Sequence, residues 1–198
     1  MKKRLHNSRR GRALLYALLL VVVILVSSTA GFYRILPQQA ILERAEEQGI
    51  ETLEPVMWIR GENPIGTGLA RLTLSVGERT LFFCPVKFYL WGGWSTGAWG
   101  IVETWEGEDP YFGVWQHVKT SATYVFGQVD DPAVKTLTIH ARADNGTTWS
   151  QEVAPDWQEK DGERYFITEL KNAPLDWAYS VTAEDGNTVE IEDVFCWW

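Results

Sequence analysis

An uncharged apolar run near the N-terminus limits the fold of this chain more than any other feature. No charged residue occurs from Ala13 to Tyr33. As a helix, these 21 residues would extend about 30 Å, the thickness of the hydrocarbon core of a bilayer. Because lipid offers the backbone no hydrogen-bond partners, a chain crossing it this way must be helical. The sequence therefore predicts one transmembrane helix over 13–33.

The charges beside this run predict its orientation. Six basic residues and no acidic one precede it: Lys2, Lys3, Arg4, Arg9, Arg10 and Arg12. Because basic flanks stay on the cytoplasmic side, we expect residues 1–12 to form a cytoplasmic tail and the C-terminal part to be extracytoplasmic. A cleavable signal peptide is the alternative, since Ser28-Thr29-Ala30 resembles a small-residue cleavage site. In both cases the rest of the chain is exported.

The exported part is strongly acidic. It holds all 26 acidic residues but only 12 of the 18 basic ones, which gives it a formal charge of −14. Such a surface repels nucleic acid and other polyanions, so nucleic-acid binding is excluded as a function. The negative charge is compatible with binding of cationic partners or divalent ions. The simpler interpretation is that the charge keeps the domain soluble.

Punctuation residues divide the exported part into a short helical segment and a strand-rich domain. Pro37 and Gly49 bracket a helix that is either a stalk or a first helix packed on the domain, and 34–68 is predicted to be a juxtamembrane helix and linker. Residues 69–198 form the domain. Its strands are predicted at 69–76, 80–84, 86–91, 99–105, 111–118, 122–129, 134–143, 163–170, 177–183 and 188–195, with Asn-Gly and Asp-Gly turns between several of them. This pattern predicts a mostly β fold, an antiparallel β-sandwich or a partly open barrel.

Two cysteines, Cys84 and Cys196, both lie in the exported part. A bond between them would close a loop of roughly 110 residues, which the chain-entropy model values at about 4–5 kcal/mol. We therefore expect a Cys84–Cys196 disulfide that fixes the C-terminal strand. Two buried free thiols are the alternative. Neither cysteine has a neighbouring His or Asn in the sequence, which argues against a thiolate nucleophile.

The remaining titratable residues form no recognisable metal or catalytic motif. His117 and His140 lie on separate predicted strands without the spacing of zinc ligands, so we interpret them as structural or surface histidines. A carboxylate cluster consists of Glu103, Glu106, Glu108 and Asp109. Calcium binding or general acid–base chemistry would use such groups, but their spacing is that of a solvated loop. We therefore expect no cofactor, no metal and no catalytic residue, with an envelope hydrolase built on these carboxylates as an alternative.

Tryptophan is unusually abundant, with eleven residues in the chain. Five of them fall within 25 positions: Trp91, Trp94, Trp99, Trp105 and Trp115. A glycine-rich turn over 92–97 would expose the ring of Trp94, and flat indole faces suit stacking on sugars. We therefore take Trp91, Trp94 and Trp99 as a candidate glycan-binding platform. The alternative is that these rings fill the core.

In layout, the chain resembles the small membrane-anchored proteins of Gram-positive spore-forming bacteria. The features that carry this resemblance are the basic tail and span, the strand Thr80–Phe83, the Trp/Gly segment Trp91–Gly100, the run from Tyr124 to Lys135, Arg164-Tyr165-Phe166 and Ala183-Glu184-Asp185-Gly186. The resemblance implies export and anchoring. It implies no activity, so no residue role is transferred from it.

These observations together predict a membrane-tethered, extracytoplasmic binding module of the cell envelope without catalysis. Its expected partners are the membrane, through one span, and either an envelope protein or a cell-wall glycan. The glycan alternative depends on the exposure of the tryptophan platform.

Overall fold

The computed structural model describes residues 9–29, 33–60, 70–77, 80–90, 92–97, 100–103, 111–183, 186, 188–191 and 194–197. Within these residues the chain forms two α-helices followed by fourteen strands. The helices are α1 (Arg9–Thr29) and α2 (Pro37–Glu46). The strands are β1 (Glu54–Ile59), β2 (Ala70–Gly77), β3 (Thr80–Tyr89), β4 (Gly93–Thr96), β5 (Gly100–Glu103), β6 (Tyr111–His117), β7 (Ala122–Gln128), β8 (Leu137–Arg142), β9 (Thr148–Val153), β10 (Gln158–Lys160), β11 (Glu163–Leu170), β12 (Ala178–Ala183), β13 (Thr188–Ile191) and β14 (Val194–Trp197).

Helix α1 contains the apolar run that dominates the sequence. Its stretch Gly11–Ser28 is long and apolar enough to cross a membrane, and none of that stretch is buried within the structure. An N-terminal signal sequence has the same properties, so this finding fits both sequence-based alternatives. The described helix extends to Thr29, and residues 30–32 of the predicted span lie outside the described residues; Tyr33, its predicted last residue, is not helical.

The strands form three sheets, and the described strands close no barrel. Sheet A has the order β1-β2-β3-β4, and β5 belongs to it as well. Strands β5 and β4 share one edge of β3: β5 pairs with the first half of β3, and β4 pairs with its second half. Sheet B has the order β10-β11-β7-β6-β14 and sheet C the order β13-β12-β8-β9. Among these pairs only β14 with β6 is parallel. The predicted mostly β class is therefore confirmed, with three sheets in place of one sandwich pair.

The three sheets pack face to face with sheet B in the middle. Alternate side chains of its strands point to opposite faces, so sheet B contributes side chains to two apolar cores, one on each face. Between sheets A and B, Phe83 stacks on Phe126 with ring centroids 4.7 Å apart and lies 5.6 Å from Trp115. Between sheets B and C, Val125 and Phe166 pack with residues such as Ile139. Because both faces of sheet B are covered at its centre, the central strands β6 and β7 are almost continuously buried.

Helix α2 covers the outer face of sheet A. Ala40 and Ile41 pack against Phe82, Cys84 and Val86 in a third apolar cluster. The helix is thus the first helix packed on the domain, the second of the two alternatives drawn from the sequence, and not a free stalk.

The folded domain also begins before residue 69, because β1 lies in the segment predicted to be a linker. Strand β1 pairs antiparallel with β2 from Glu54 to Ile59. A register irregularity between Pro55 and Met57 interrupts the alternation that would have indicated a strand. Lys160 on β10 forms an ion pair with Glu54, which joins this edge to sheet B.

Strand β3 runs through Pro85, where the sequence predicted two separate strands. The proline lies where the edge of β3 changes its partner, since Thr80–Phe83 pairs with β5 and Val86–Tyr89 with β4. A missing N–H costs no ladder bond at such a break. The carbonyl of Pro85 accepts a bond from the Gly97 amide at 2.7 Å.

The predicted Cys84–Cys196 disulfide is not formed, because Cys84 is a buried free thiol. Cys84 packs under α2 on the outer face of sheet A. The strand that contains Cys196 pairs instead with β6 in sheet B, where Cys196 is the register partner of Gln116. The side chain of Cys196 is outside the described residues. For Cys84 the alternative of a buried thiol is thus the correct one.

Candidate functional site

The structure places Trp94 in the core, so the prediction that its ring is exposed is wrong. The residue lies on β4 and is 7% exposed. Its indole meets Phe88 edge to face with centroids 5.6 Å apart. The glycine-rich segment is a strand at the edge of sheet A rather than a projecting turn, because Gly93-Trp94-Ser95-Thr96 pairs with β3. Trp91 and Trp99, the other members of the proposed platform, lie outside the described residues.

Arg71 on β2 lies between two indoles on the outer side of sheet A. Its guanidinium carbon is 4.3 Å from the centroid of Trp58 and 5.2 Å from that of Trp94. Trp58 on β1 is 56% exposed, whereas Trp94 is covered. A cation above indole faces is attracted by their quadrupoles, so this stack stiffens the edge of the sheet. Trp58 is an exposed aromatic that the sequence did not single out.

The structure supports neither a metal site nor thiolate chemistry in the part it describes. No group of three His, Cys, Asp or Glu side chains among the described residues could hold a metal ion. Glu106, Glu108 and Asp109 lie outside those residues, and of Glu103 only the backbone in β5 is described. Burial raises the pKa of the Cys84 thiol to about 12, which removes the thiolate at neutral pH.

His117 is a buried structural residue, one of the two roles expected for it. Its ring stacks near Trp115 with centroids 6.0 Å apart, and its Nδ1 lies 2.5 Å from the Oγ1 of Thr120. It therefore fixes the turn after β6 and does not reach solvent.

The candidate binding site is a hollow of about 360 Å³ on sheet C. It is lined by three strands, through His140, Ala141, Arg142, Thr148, Trp149, Ser150, Ala178 and Ser180. This volume is near the lower end of the range for small-ligand sites, roughly 300–1,000 Å³. We call this feature the sheet C hollow.

Strand alternation explains why polar groups collect there. On β8, Ile139 and Ala141 are buried in the core between sheets B and C, so His140 and Arg142 point the other way. The antiparallel register then sets further polar residues beside them. His140 faces Ser150 on one neighbouring strand and Ser180 on the other.

A hydrogen-bond chain holds His140 from the side. Its Nε2 lies 3.1 Å from the Oγ1 of Thr182, which in turn is 2.9 Å from the Oγ1 of Thr188. This bond to one ring nitrogen restrains the imidazole beside the hollow. Arg142 at the end of β8 is exposed and presents a guanidinium with five donors.

The hollow combines a charged donor with hydroxyls, which is a chemistry suited to binding a hydroxyl-rich molecule. Small residues leave the space, since Ala178 is the register partner of Arg142. Trp149, the register partner of Ala141 on β9, borders the hollow and is half-buried, with its side chain packed on the core between sheets B and C. The arrangement positions donors and acceptors without a nucleophile–base pair at hydrogen-bonding distance among the lining residues that the structure describes.

Sequence reasoning missed this hollow because β9 was not predicted. Its sequence, Thr148–Val153, is mostly polar, and only its last residue is fully buried. The one available signal was the alternation of Thr138, His140 and Arg142 with apolar residues on β8. That alternation indicates a polar sheet face, but it does not show which strands flank it.

No protein-family model, no curated protein and no solved structure matches this chain. The layout resemblance to membrane-anchored proteins of spore-forming bacteria therefore stays a prediction.

Proposed function

We propose that this protein is a membrane-tethered binding module that displays its β domain on the outer side of a cell membrane. The observation that carries the proposal is α1, which exposes an apolar surface along the whole of Gly11–Ser28 and is joined to a folded domain. An exposed apolar helix of this length is unfavourable in water, and a bilayer of matching thickness would cover it.

Charge supports the orientation. Six basic residues precede the apolar run, whereas the domain after it carries a formal charge of −14. Basic flanks are retained in the cytoplasm, so the domain is the part that is translocated.

Within this arrangement, the sheet C hollow is the proposed ligand site, and an envelope glycan is the proposed ligand. Arg142 supplies charged donors, His140 a ring nitrogen, and Thr148, Ser150 and Ser180 hydroxyls that both donate and accept. Sugars offer matching hydroxyls. The acidity of the domain disfavours long polyanions and therefore favours a neutral glycan.

Binding is tested by co-sedimentation of the full chain, held in lipid nanodiscs, with isolated cell-wall glycan. Two variants alter the hollow: Arg142→Ala removes its charged donor, and Ala178→Trp fills it. Arg60→Ala and Glu159→Trp are matched controls, because both residues are exposed and outside sheet C: Arg60 directly follows β1, and Glu159 lies on β10. A hydrogen bond to a charged group contributes about 1.5–3 kcal/mol, so Arg142→Ala is expected to weaken binding at least roughly tenfold.

Two results would overturn this assignment. Binding by Ala178→Trp at the strength of the wild type would exclude the hollow as the site. Failure of the wild type to bind glycan at any salt concentration would exclude the glycan, and crosslinking in cells would then test an envelope protein as the partner.

A further inference from the structure

Four exposed apolar side chains lie where α1 joins the β domain: Ile35, Leu36, Tyr89 and Leu90. We call them the juxtamembrane patch. Leu90 is 69% exposed and Leu36 56% exposed. Large apolar groups that are exposed together mark a surface that contacts something apolar, a partner or a membrane.

Backbone hydrogen bonds hold the two halves of the patch together. The Trp94 amide donates to the Arg34 carbonyl at 2.8 Å, and the Arg34 amide donates to the Gly92 carbonyl at 3.4 Å. The hydroxyl of Tyr33 donates to the Leu90 carbonyl at 3.3 Å. The segment that follows α1 is thereby fixed beside the turn between β3 and β4.

Gly93 shows how close this contact is. Its φ is +71°, and a Cβ there would overlap the backbone of Arg34. Only glycine therefore allows the post-helix segment to lie against the turn.

The patch is also fixed near the end of α1. The Tyr33 amide donates to the Ser27 carbonyl at 3.0 Å. Three residues separate Thr29 from Tyr33, so the two Cα atoms are at most about 14 Å apart even if the chain between them is extended. If α1 crosses a bilayer, Tyr33 and the turn bonded to it lie at the bilayer surface.

We propose that the juxtamembrane patch is inserted into the outer interface of the bilayer that α1 crosses, so that the domain is held against the membrane at the β3–β4 turn. This inference rests on the proposed function, because it requires α1 to be in the membrane. Tyr33 and Tyr89 have the amphipathic rings that favour the interface. The Lys87 ammonium lies 5.1 Å from the ring centroid of Tyr89. With Tyr89 in the interface, this ammonium lies at the depth of the lipid phosphates. Sheet C is on the far side of the stack from α2, so its hollow stays accessible.

The test is photocrosslinking to lipid with the full chain in nanodiscs. A benzoylphenylalanine is placed singly at Leu90, at Leu36, at Glu159 on β10, or at Leu20 within α1. Lipid adducts are quantified by mass spectrometry after irradiation. We expect adducts at Leu20, Leu36 and Leu90, with about tenfold less at Glu159, since interfacial insertion confines lipid contact to the patch.

The Leu20 probe separates failure of this inference from failure of the proposed function. Adducts at Leu20 combined with background levels at Leu90 and Leu36 would overturn the patch and leave the tether intact. Absence of adducts at Leu20 would overturn the tether, and the patch with it. Equal adducts at Leu90 and Glu159 would also overturn the inference, because lipid contact would then not be localised.

Discussion

Replacing Trp94 with alanine tests whether this tryptophan is a core residue or a binding surface. With 7% exposure, the indole buries nearly all of its area, about 150–250 Å² for an aromatic side chain. At about 25 cal/mol per Å² this burial contributes about 4–6 kcal/mol, and measured Trp→Ala changes in cores cost about 3–5 kcal/mol. We expect Trp94→Ala to lower the free energy of unfolding by about 4 kcal/mol.

A change of this size is a large part of the stability of a domain, which is typically about 5–15 kcal/mol. For a chain of this size each kcal/mol shifts Tm by about 2–4 °C, so Tm should fall by about 8–16 °C. The matched control is Trp58→Ala, which removes the other indole beside Arg71. Because Trp58 is 56% exposed, the same arithmetic gives only about 2–3 kcal/mol for its loss.

The assay is thermal unfolding of the full chain in nanodiscs, followed by circular dichroism. The ordering of the two variants is the informative result, since membrane and buffer are the same for both. If Trp94→Ala lowered Tm no more than Trp58→Ala, the reasoning from burial would be refuted. An unchanged Tm together with lost glycan binding would restore the exposed-platform hypothesis.

Three further predictions follow from single interactions. Burial raises the pKa of the Cys84 thiol to about 12, so alkylating reagents at pH 8 should label Cys84 only after denaturation. Because Cys84 is a free thiol, a reductant should leave Tm unchanged. Rapid labelling of Cys84 in the native chain would contradict this prediction. A hydrogen bond from Lys160 and the charge of Lys160 lower the pKa of Glu54 below its ordinary value of 4.5, so this ion pair stabilises the fold above pH 4.5, and the stabilisation is lost as the pH falls through the lower pKa of the folded state. The Tm of Glu54→Gln should therefore lie slightly below that of the wild type at neutral pH and converge with it in acid. A difference in Tm that does not depend on pH would exclude the ion pair as its cause. The buried side-chain amide of Gln116 donates to the Pro174 carbonyl at 2.9 Å and accepts from the Asp176 amide at 3.2 Å. Gln116→Leu should therefore lower the free energy of unfolding by about 1–3 kcal/mol and accelerate hydrogen exchange at the Asp176 amide. Unchanged exchange would show that the loop containing Pro174 and Asp176 does not depend on this side chain.

Local patterns in the sequence predicted the fold class and most of the strands correctly. Runs such as Tyr111–His117 and Glu163–Leu170 are rich in β-branched and aromatic residues and are bounded by turn residues. The near-continuous burial of β6 and β7 corresponds to runs of mostly apolar residues in the sequence. Such runs do not indicate three layers of sheet, because the sequence of a strand buried on both faces does not depend on which sheets cover it.

The errors occurred where tertiary pairing outweighs local pattern. Trp94 was assigned to a turn because glycines surround it, whereas Gly93 is needed for the contact with the Arg34 backbone. The single strand predicted over 188–195 is replaced by β13 and β14, which belong to different sheets. Cys84 and Cys196 were joined on an entropic argument that carries no information on which sheet each strand joins. The candidate site depends on β9, a polar edge strand without a local signal.

We propose above that α1 anchors the chain and that the β domain lies outside the membrane. The most direct measurement uses intact cells that express the chain with an epitope at each end, treated with external protease after the membrane fraction has been shown to resist carbonate extraction. We expect a full-length chain in the membrane whose C-terminal epitope is digested and whose N-terminal epitope is protected. A soluble exported chain lacking about 30 N-terminal residues would show that the apolar run is a cleaved signal peptide, and a protected C-terminal epitope would contradict the orientation.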